Sequence, residues 1–363
     1  GRVHQAVHRG TPLGRRHAVR AGVEGIDLRV QRRALGVALQ KPRAQRPLLE
    51  GLTEVEPWLT PVTRVSDELV RLVRATHGGD VFVSTMTVDA EEVARLAVEL
   101  GREKAPRVFL VFDLNTVLSE SSFELFLRDL PGLYLVPYYN TPRDARYYHI
   151  KGAASADRLV FSGANLKAYD RLPLLDLGFT AKGPEAARAL SAVIAGRAAD
   201  ACADVALLEC TLATRFGASS PWPARIRAAL ARSCAALPAA EADRGPFAVS
   251  DKDDLGAEVI EAVEAATKAV AGTTHHLDHP ELERALGHVP TRVFVGRGGS
   301  RAHPSDRISV LDTLLVEVHT KALLIDDETL LWGTGNFTRG GLGESMELLF
   351  RTQQPELVAA YRR

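Results

Sequence analysis

His319-Thr320-Lys321-Ala322-Leu323-Leu324-Ile325-Asp326-Asp327-Glu328-Thr329-Leu330-Leu331-Trp332-Gly333-Thr334-Gly335-Asn336, with Glu347 beyond it, is the stretch around which this chain reads. Ala322 to Ile325 is an unbroken apolar run with the length of one short buried strand. His319 and Lys321 stand two apart just before it. Alternate residues of a strand point to the same face, so both side chains project together. An imidazole can attack or carry protons, and an ammonium beside it supplies fixed positive charge for a phosphate. Gly333-Thr334-Gly335-Asn336 offers backbone N–H groups, a hydroxyl and an amide to the same oxygens.

The pattern occurs a second time. His149-Ile150-Lys151 is followed by Asp157, then Leu159-Val160-Phe161, then Ser162-Gly163-Ala164-Asn165, with Asp176 beyond. The two histidines are 170 positions apart. Two copies of so uncommon a constellation in one chain argue for two related halves.

The second copy resembles the H-x-K-x4-D-x6-G-(S/T)-x-N motif of the phospholipase D superfamily at every position. The first resembles its partner motif with two departures. Ala156 stands where the motif has Asp, and Asn165 comes 16 residues after its His where Asn336 comes 17 after. Asp157 reads as a turn carboxylate rather than a replacement. The opening His149-Ile150-Lys151-Gly152, the ending Ser162 to Asn165 and the preceding Val136 to Tyr148 are most similar to the phosphatidylserine, phosphatidylglycerophosphate and cardiolipin synthase branches. The resemblance runs from about Val65 to the C-terminus.

That resemblance implies an α/β fold: two α/β/α sandwich halves packed as a pseudo-two-fold double domain, with both His-Lys pairs in one cleft. It implies a phosphatidyltransferase or phosphodiesterase. His149 attacks phosphorus to form a covalent phosphohistidine. His319 protonates the leaving oxygen and then activates the incoming alcohol or water. Lys151, Lys321, Asn165 and Asn336, with Ser162 and Thr334, hold the phosphoryl oxygens. Asp176 and Glu347 follow the motif histidines by 27 and 28 residues and fix ring orientation and tautomer. Asp326 completes the catalytic set as an anchor for its own loop and for Lys321. No metal or other cofactor is expected, because cationic side chains supply the positive charge. Two motifs in one chain remove any need for an oligomer to complete the site.

Charge narrows the substrate. The formal net charge is zero. Residues 1–55 hold eleven of the 45 Lys and Arg but only four of the 45 Asp and Glu, which leaves 34 basic against 41 acidic residues elsewhere. A nuclease needs a basic channel, and no such excess surrounds the motifs, so nucleic acid ranks second to a phospholipid with a small alcohol or water. A binding module or inactive relative would have lost a motif His or Lys, and none is lost. Cys202, Cys210 and Cys234 are odd in number and lack metal-ligand spacing. They read as reduced core thiols of a cytoplasmic enzyme peripheral to the membrane. The Ala-rich stretch from Ala186 to Cys210 is broken by Arg188, Arg197, Asp200 and Asp204 and reads as a helix outside the bilayer.

In chain order, residues 1-60 form a basic segment without periodicity, either a solvated tail or a surface for anionic headgroups. Residues 61-210 form the first half. Its expected elements are a helix from Ser66, as cap, to Arg74, a strand Asp80 to Thr87, a helix Ala90 to Leu100, a strand Arg107 to Asp113, a helix near Ser122 to Leu130 and a strand Leu133 to Val136. Residues 211-250 are a proline-bearing connector, helical around Ala224 to Ala236. Residues 251-363 repeat the order: helix Asp254 to Val270, strand Ala271 to Leu277, helix Glu281 to Leu286, strand Arg292 to Val295. The cluster His275-His276-Leu277-Asp278-His279 fits no strong zinc spacing. It falls at the end of the strand matching Ser84-Thr85, so it either lines the pocket or forms an exposed loop. Tyr138, Tyr139, Tyr147 and Tyr148 either line an apolar entrance or pack in the core, and Trp58-Leu59 are candidates for exposed apolar residues at the cleft mouth.

Overall fold

The computed structural model describes residues 46–116, 130–139, 147–167, 174–203, 205, 208–209, 212, 216, 220–239, 243–296, 306–311 and 317–363. The basic segment up to residue 45, the helix expected near Ser122 to Leu130 and Cys210 lie outside these residues. The first half runs β1 (Thr53–Leu59), α1 (Val65–Ala75), β2 (Asp80–Thr85), α2 (Ala90–Leu100), β3 (Arg107–Asp113), β4 (Leu133–Tyr138), β5 (Gly152–Ala154), β6 (Arg158–Ser162), β7 (Leu174–Leu175), β8 (Leu177–Lys182) and α3 (Pro184–Ala203). After α4 (Trp222–Ala236) come β9 (Ala248–Val249), α5 (Leu255–Glu264), β10 (Val270–Thr274), β11 (Leu277–Asp278), α6 (Pro280–Ala285), β12 (Thr291–Gly296), β13 (Ile308–Leu311) and β14 (Glu317–Val318). The chain ends with β15 (Lys321–Ile325), β16 (Thr329–Gly333), β17 (Phe337–Thr338), α7 (Arg339–Gly343), β18 (Leu348–Thr352) and α8 (Pro355–Arg362).

Two seven-stranded sheets carry the halves, in the orders β4-β3-β2-β5-β6-β8-β1 and β13-β12-β10-β15-β16-β18-β9. In each, three parallel strands meet four antiparallel ones at the same place, β2 against β5 and β10 against β15. The repeat seen in the motifs is therefore a repeat of topology. The parallel strands are continuous apolar runs: every residue of β3 after Arg107 is buried, as a strand covered on both faces must be. The antiparallel strands alternate. Ala322, Leu324, Leu330, Trp332, Leu348 and Phe350 turn into a core shared with the first sheet. Leu323, Ile325, Leu331 and Leu349 turn the other way, onto Val259 and Val263 of α5 and Leu282 of α6.

Aromatic rings join the sheets. Phe161 of β6 stands edge-on to Trp332 of β16 at 5.3 Å and to Phe350 of β18 at 4.9 Å, while Phe179 of β8 lies 5.5 Å from Trp332. Edge-to-face contacts of this kind add to what area burial contributes.

Several expectations change. Residues 53–59 were assigned to the unstructured N-terminal segment. They form edge strand β1, paired antiparallel with β8, because Trp58 packs its ring against Gly178, where a Cβ would collide with it. Trp58 is thus buried and only Leu59 is exposed. The connector is part of the body, since α4 packs on β4 and β9 pairs with β18. Cys202 and Cys234 are joined in a disulfide that ties α3 to α4. They are not free thiols, and the inference to a reducing compartment loses its support. Ser66 lies inside α1 rather than at its cap, and its hydroxyl accepts from Arg95. Helix α5 begins at an Asp254 cap but stops at Glu264, not 270. Beyond it the Asp326 carboxylate takes the backbone N–H groups of Thr267, Lys268 and Ala269 and turns the chain into β10. Among the described residues no helix is long and apolar enough to cross a membrane.

Trp332→Ala removes a fully buried ring at the junction of the two sheets. It is expected to lower the unfolding free energy by about 3–5 kcal/mol, read as a lower denaturant midpoint at unchanged slope.

Candidate active site

The backbone brings the two motifs together before any side chain does. Tyr148 forms a parallel bridge with Met346, and β14 pairs in parallel with β7. The first contact puts His149 and Glu347 next to each other, and the second does the same for His319 and Asp176. His149 Nδ1 lies 2.7 Å from Glu347 Oε1, and His319 Nδ1 lies 2.7 Å from Asp176 Oδ2. Each histidine is therefore held by the carboxylate of the opposite half, not by the one that follows it in its own motif. A carboxylate only accepts, so Nδ1 carries the proton in both rings and Nε2 is left with its lone pair.

A hydroxyl locks each contact. Thr60, at the end of β1, donates its N–H to Asp176 O at 3.0 Å, accepts Asp176 N–H at 2.8 Å through Oγ1, and donates that hydroxyl to Leu174 O. Ser250, just after β9, repeats the arrangement with Glu347 and Ser345 at 3.1, 2.9 and 2.6 Å. Glycines leave room for the carboxylates. A Cβ on Gly163 would lie 2.8 Å from Asp176 Oδ2, and one on Gly335 would lie 3.0 Å from Glu347 Cγ. Thr334 Oγ1 donates to Glu347 Oε2 at 2.7 Å, and Thr320 Oγ1 approaches Asp176 Oδ1 at 3.4 Å.

Both lysines are buried at the starts of β5 and β15, along with both carboxylates. Their positions differ in one respect. Lys151 Nζ donates to the backbone carbonyl of its own His149 at 3.0 Å. Lys321 Nζ sits 2.9 Å from His319 Nε2. His319 Nδ1, which donates to Asp176, is also within 2.8 Å of that amine, so Lys321 stands nearly equidistant from the two ring nitrogens. Burial pushes Lys151 down to about 7 and Lys321 down to about 8, against the pull of the carboxylates. Burial pushes Asp176 up to about 6. Burial, and then the two lysine charges, hold His319 well below the usual imidazole range, and burial also lowers His149. The resting site has two neutral imidazoles facing two cations whose charge is easily lost, an arrangement suited to an anion that arrives with its own negative charge.

The two asparagines sit behind the motif turns. Asn165 Oδ1 accepts from Thr87 N at 3.3 Å, and Asn336 Oδ1 is buried with no hydrogen-bond partner. His275 stands with its ring centroid 5.2 Å from that of His319, and its Nε2 lies 2.5 Å from Glu317 Oε1. The His276 ring lies beside it, tilted, with centroids 3.9 Å apart. His279 is instead the cap of α6. No group of three His, Cys, Asp or Glu among the described residues converges as a metal site would.

Residues 302–363 match the family model described as "Cardiolipin synthase, PLD-like domain". The phosphatidylserine synthase of Haemophilus influenzae Rd KW20 has a similar structure, with a TM-score of 0.55 at 12% identity over 88% of this chain and 87% of that one. The fold is similar to that of this synthase, and the matched segment is similar to the PLD-like domain of that family model. The polyphosphate kinase of Porphyromonas gingivalis is also similar, with a TM-score of 0.54 at 14% identity over 85% of this chain and 46% of that one. No curated protein sequence matches the chain.

The superfamily motif residues do not all gather. His149, Lys151, His319, Lys321, Asp176 and Glu347 do. Asp326 does not: it is at a turn with positive φ, bonded to Thr267, Lys268 and Ala269, and these amides hold its carboxyl down to about 2. Its place in a catalytic set gives way to a structural one. The absent motif Asp at Ala156 likewise falls in an exposed turn between β5 and β6, closed by Ser155 and Arg158. That turn is one residue shorter than its counterpart: Ala153 pairs with Val160, whereas Leu323 pairs with Leu331. The shift aligns Gly163, not Ser162, with Thr334. Ser162 accordingly accepts Ala164 N–H within its own turn and takes no carboxylate. Of the tyrosines, Tyr148 is buried against Ser84, Tyr139 donates to Ala201 O, Tyr138 stacks on Tyr148, and Tyr147 alone is exposed. Thr60, Ser250 and Glu317 went unnoticed in the sequence, since no motif spacing reaches them.

Sulfate keeps its charge across neutral pH, so its affinity reports the lysines. They are cationic below about 7 and 8 and neutral above. Sulfate binding by calorimetry is expected to weaken at least about tenfold between pH 6.5 and 9.5. Asp326→Ala is expected to lower the melting temperature while leaving that affinity within about twofold.

Proposed function

We propose that this protein transfers a phosphatidyl group from a phospholipid donor to a small alcohol or water through a covalent phosphohistidine on His149. The single observation that carries this reading is the pair of crossed His–carboxylate dyads facing two buried lysines. His149 Nε2 has a lone pair and no hydrogen-bond partner among the described residues, while His319 Nε2 is engaged by Lys321. The unengaged imidazole is the better nucleophile.

In the first step His149 Nε2 forms a bond to phosphorus, the bond from phosphorus to the leaving oxygen breaks, and that oxygen takes a proton from His319 Nε2. His319 is neutral at rest, because burial and the lysine charges disfavour its cation. The bound phosphodiester anion offsets those charges, draws Lys321 to its oxygens and raises the affinity of His319 for a proton. Asp176 stabilises the imidazolium that results. In the second step the incoming hydroxyl gives its proton to His319, its oxygen bonds to phosphorus, and the P–N bond breaks. Lys151, Lys321 and the amides of Asn165 and Asn336 meet the charge that develops on the phosphoryl oxygens. A lipid donor brings the enzyme to a membrane surface, where the basic segment before residue 55 offers charge to anionic headgroups.

The test uses phosphatidylglycerol or CDP-diacylglycerol labelled at phosphorus, quenched in alkali, with and without EDTA. An alkali-stable label on the peptide holding His149 is expected, absent in His149→Ala, with turnover down on the order of a thousandfold or more. Glu347→Gln is expected to cost about a hundredfold or more, since the ring loses its tautomer. Label on His319 instead would reverse the roles. Turnover of single-stranded DNA with no lipid consumed would overturn the lipid reading.

A further inference from the structure

The two halves repeat in backbone but not in the walls of the site. Thr85 and Thr274 occupy matching positions. Each donates its hydroxyl at 2.9 Å to the carbonyl two residues on, and each accepts the N–H of the residue after the motif asparagine, Leu166 or Phe337. The next residue is Met86 in the first half and His275 in the second. Two residues before the motif histidine stand Tyr147 in the first half and Glu317 in the second. The second half thus has an imidazole–carboxylate pair where the first has a thioether and an exposed phenol.

That pair has a definite hydrogen-bonding sense. Glu317 accepts from His275 Nε2, so the proton is on Nε2 and Nδ1 carries a lone pair, with no partner among the described residues. Burial and Lys321 keep the ring neutral. Asn336 stands one residue before Phe337, and His275 one residue after Thr274, so the two flank the same hydrogen bond. Asn336 Oδ1 is also a buried acceptor without a donor. The unpaired Nδ1 of His275, on a ring 5.2 Å from that of His319, calls for a ligand that brings a donor. A phosphate has none to give.

We infer that His275, oriented by Glu317, forms a subsite for the alcohol, and that it selects alcohols with a second hydrogen-bond donor, a hydroxyl or an amine, next to the reacting hydroxyl. This rests on the phosphotransfer reading above. The reacting hydroxyl still gives its proton to His319; His275 Nδ1 accepts from the second group and takes no part in bond making.

The test is a competition between glycerol and ethanol for the same labelled CDP-diacylglycerol donor, from which the two alcohols give different products. Wild type is expected to favour glycerol. His275→Phe is expected to lower the glycerol-to-ethanol product ratio about tenfold, the worth of one buried hydrogen bond, with donor consumption within about threefold. His275→Gln, which keeps an acceptor, is expected to restore part of the ratio, and Glu317→Gln to lower it severalfold through the lost tautomer. An unchanged ratio in His275→Phe, in a protein that still consumes donor, overturns the subsite. Donor consumption abolished in His275→Phe as in His149→Ala overturns it too, and assigns His275 to the phosphoryl chemistry. A wild type that consumes no donor fails at the phosphotransfer reading, and the subsite falls with it.

Discussion

The parallel contacts across the two halves, Tyr148 with Met346 and β14 with β7, determine the position of each ionisable group in the site. A motif histidine and its own downstream carboxylate belong to one half, yet they are not partners. The contact on each side of the seam sets a histidine and a carboxylate from different halves one residue past the bridge, and side chains at that offset meet. Thr60 and Ser250 hold these bridges in register by bonding to the carboxylate residues' own backbone. The site therefore exists only when both halves have folded and docked. Neither half carries a complete dyad alone, which gives the aromatic junction of Phe161, Phe179, Trp332 and Phe350 a functional consequence as well as a structural one.

Burial at that seam sets the electrostatics. Two ammonium groups and two carboxylates removed from water would cost several kcal/mol each if left unpaired. They offset one another, and the remainder appears as lysines near neutrality and an aspartate well above its usual range. A site strained in this way gains most when an anion enters, because the ligand restores to the lysines the charge that burial disfavours. In the proposed reaction, cationic side chains held in that buried seam would need no reorganisation as charge develops on phosphorus.

Much of this was legible in the sequence where a period or a spacing carries the information. The strand character of Ala322 to Ile325, the two-residue spacing of His and Lys, and the duplication over 170 positions are local patterns, and the fold follows them. What the sequence did not disclose is relational. The exchange of Asp176 and Glu347 between halves depends on how two surfaces dock. Thr60 and Ser250 sit more than 90 residues from the carboxylates they hold. Asp326 matches a motif position yet serves a turn, because three backbone N–H groups converge on it, and that is visible only once β10 lies beside β15. Ser162 and Thr334 read alike as turn hydroxyls of their motifs, yet a turn one residue shorter sets Gly163 at the position of Thr334. Cys202 and Cys234 gave no pairing signal, since they are 32 residues apart in sequence and the helices that carry them meet only in space.

The repeat also explains how a nearly symmetric frame can serve two unlike tasks. A nucleophile needs an unshared lone pair, and a proton carrier needs a neighbour that tunes its charge. Both histidines present the same Nδ1 to a carboxylate, so the frame alone does not distinguish them. The lysines do. Lys151 is tied back to the His149 carbonyl and leaves that ring's Nε2 alone, whereas Lys321 covers the Nε2 of His319 and, with Lys151, depresses its basicity until an anion arrives. His275 and Glu317 then stand only on the His319 side. Duplication supplied the scaffold, and in the proposed reaction a few side chains around it, each within one or two residues of a matching position, make one half a place for attack and the other a place where a proton is held.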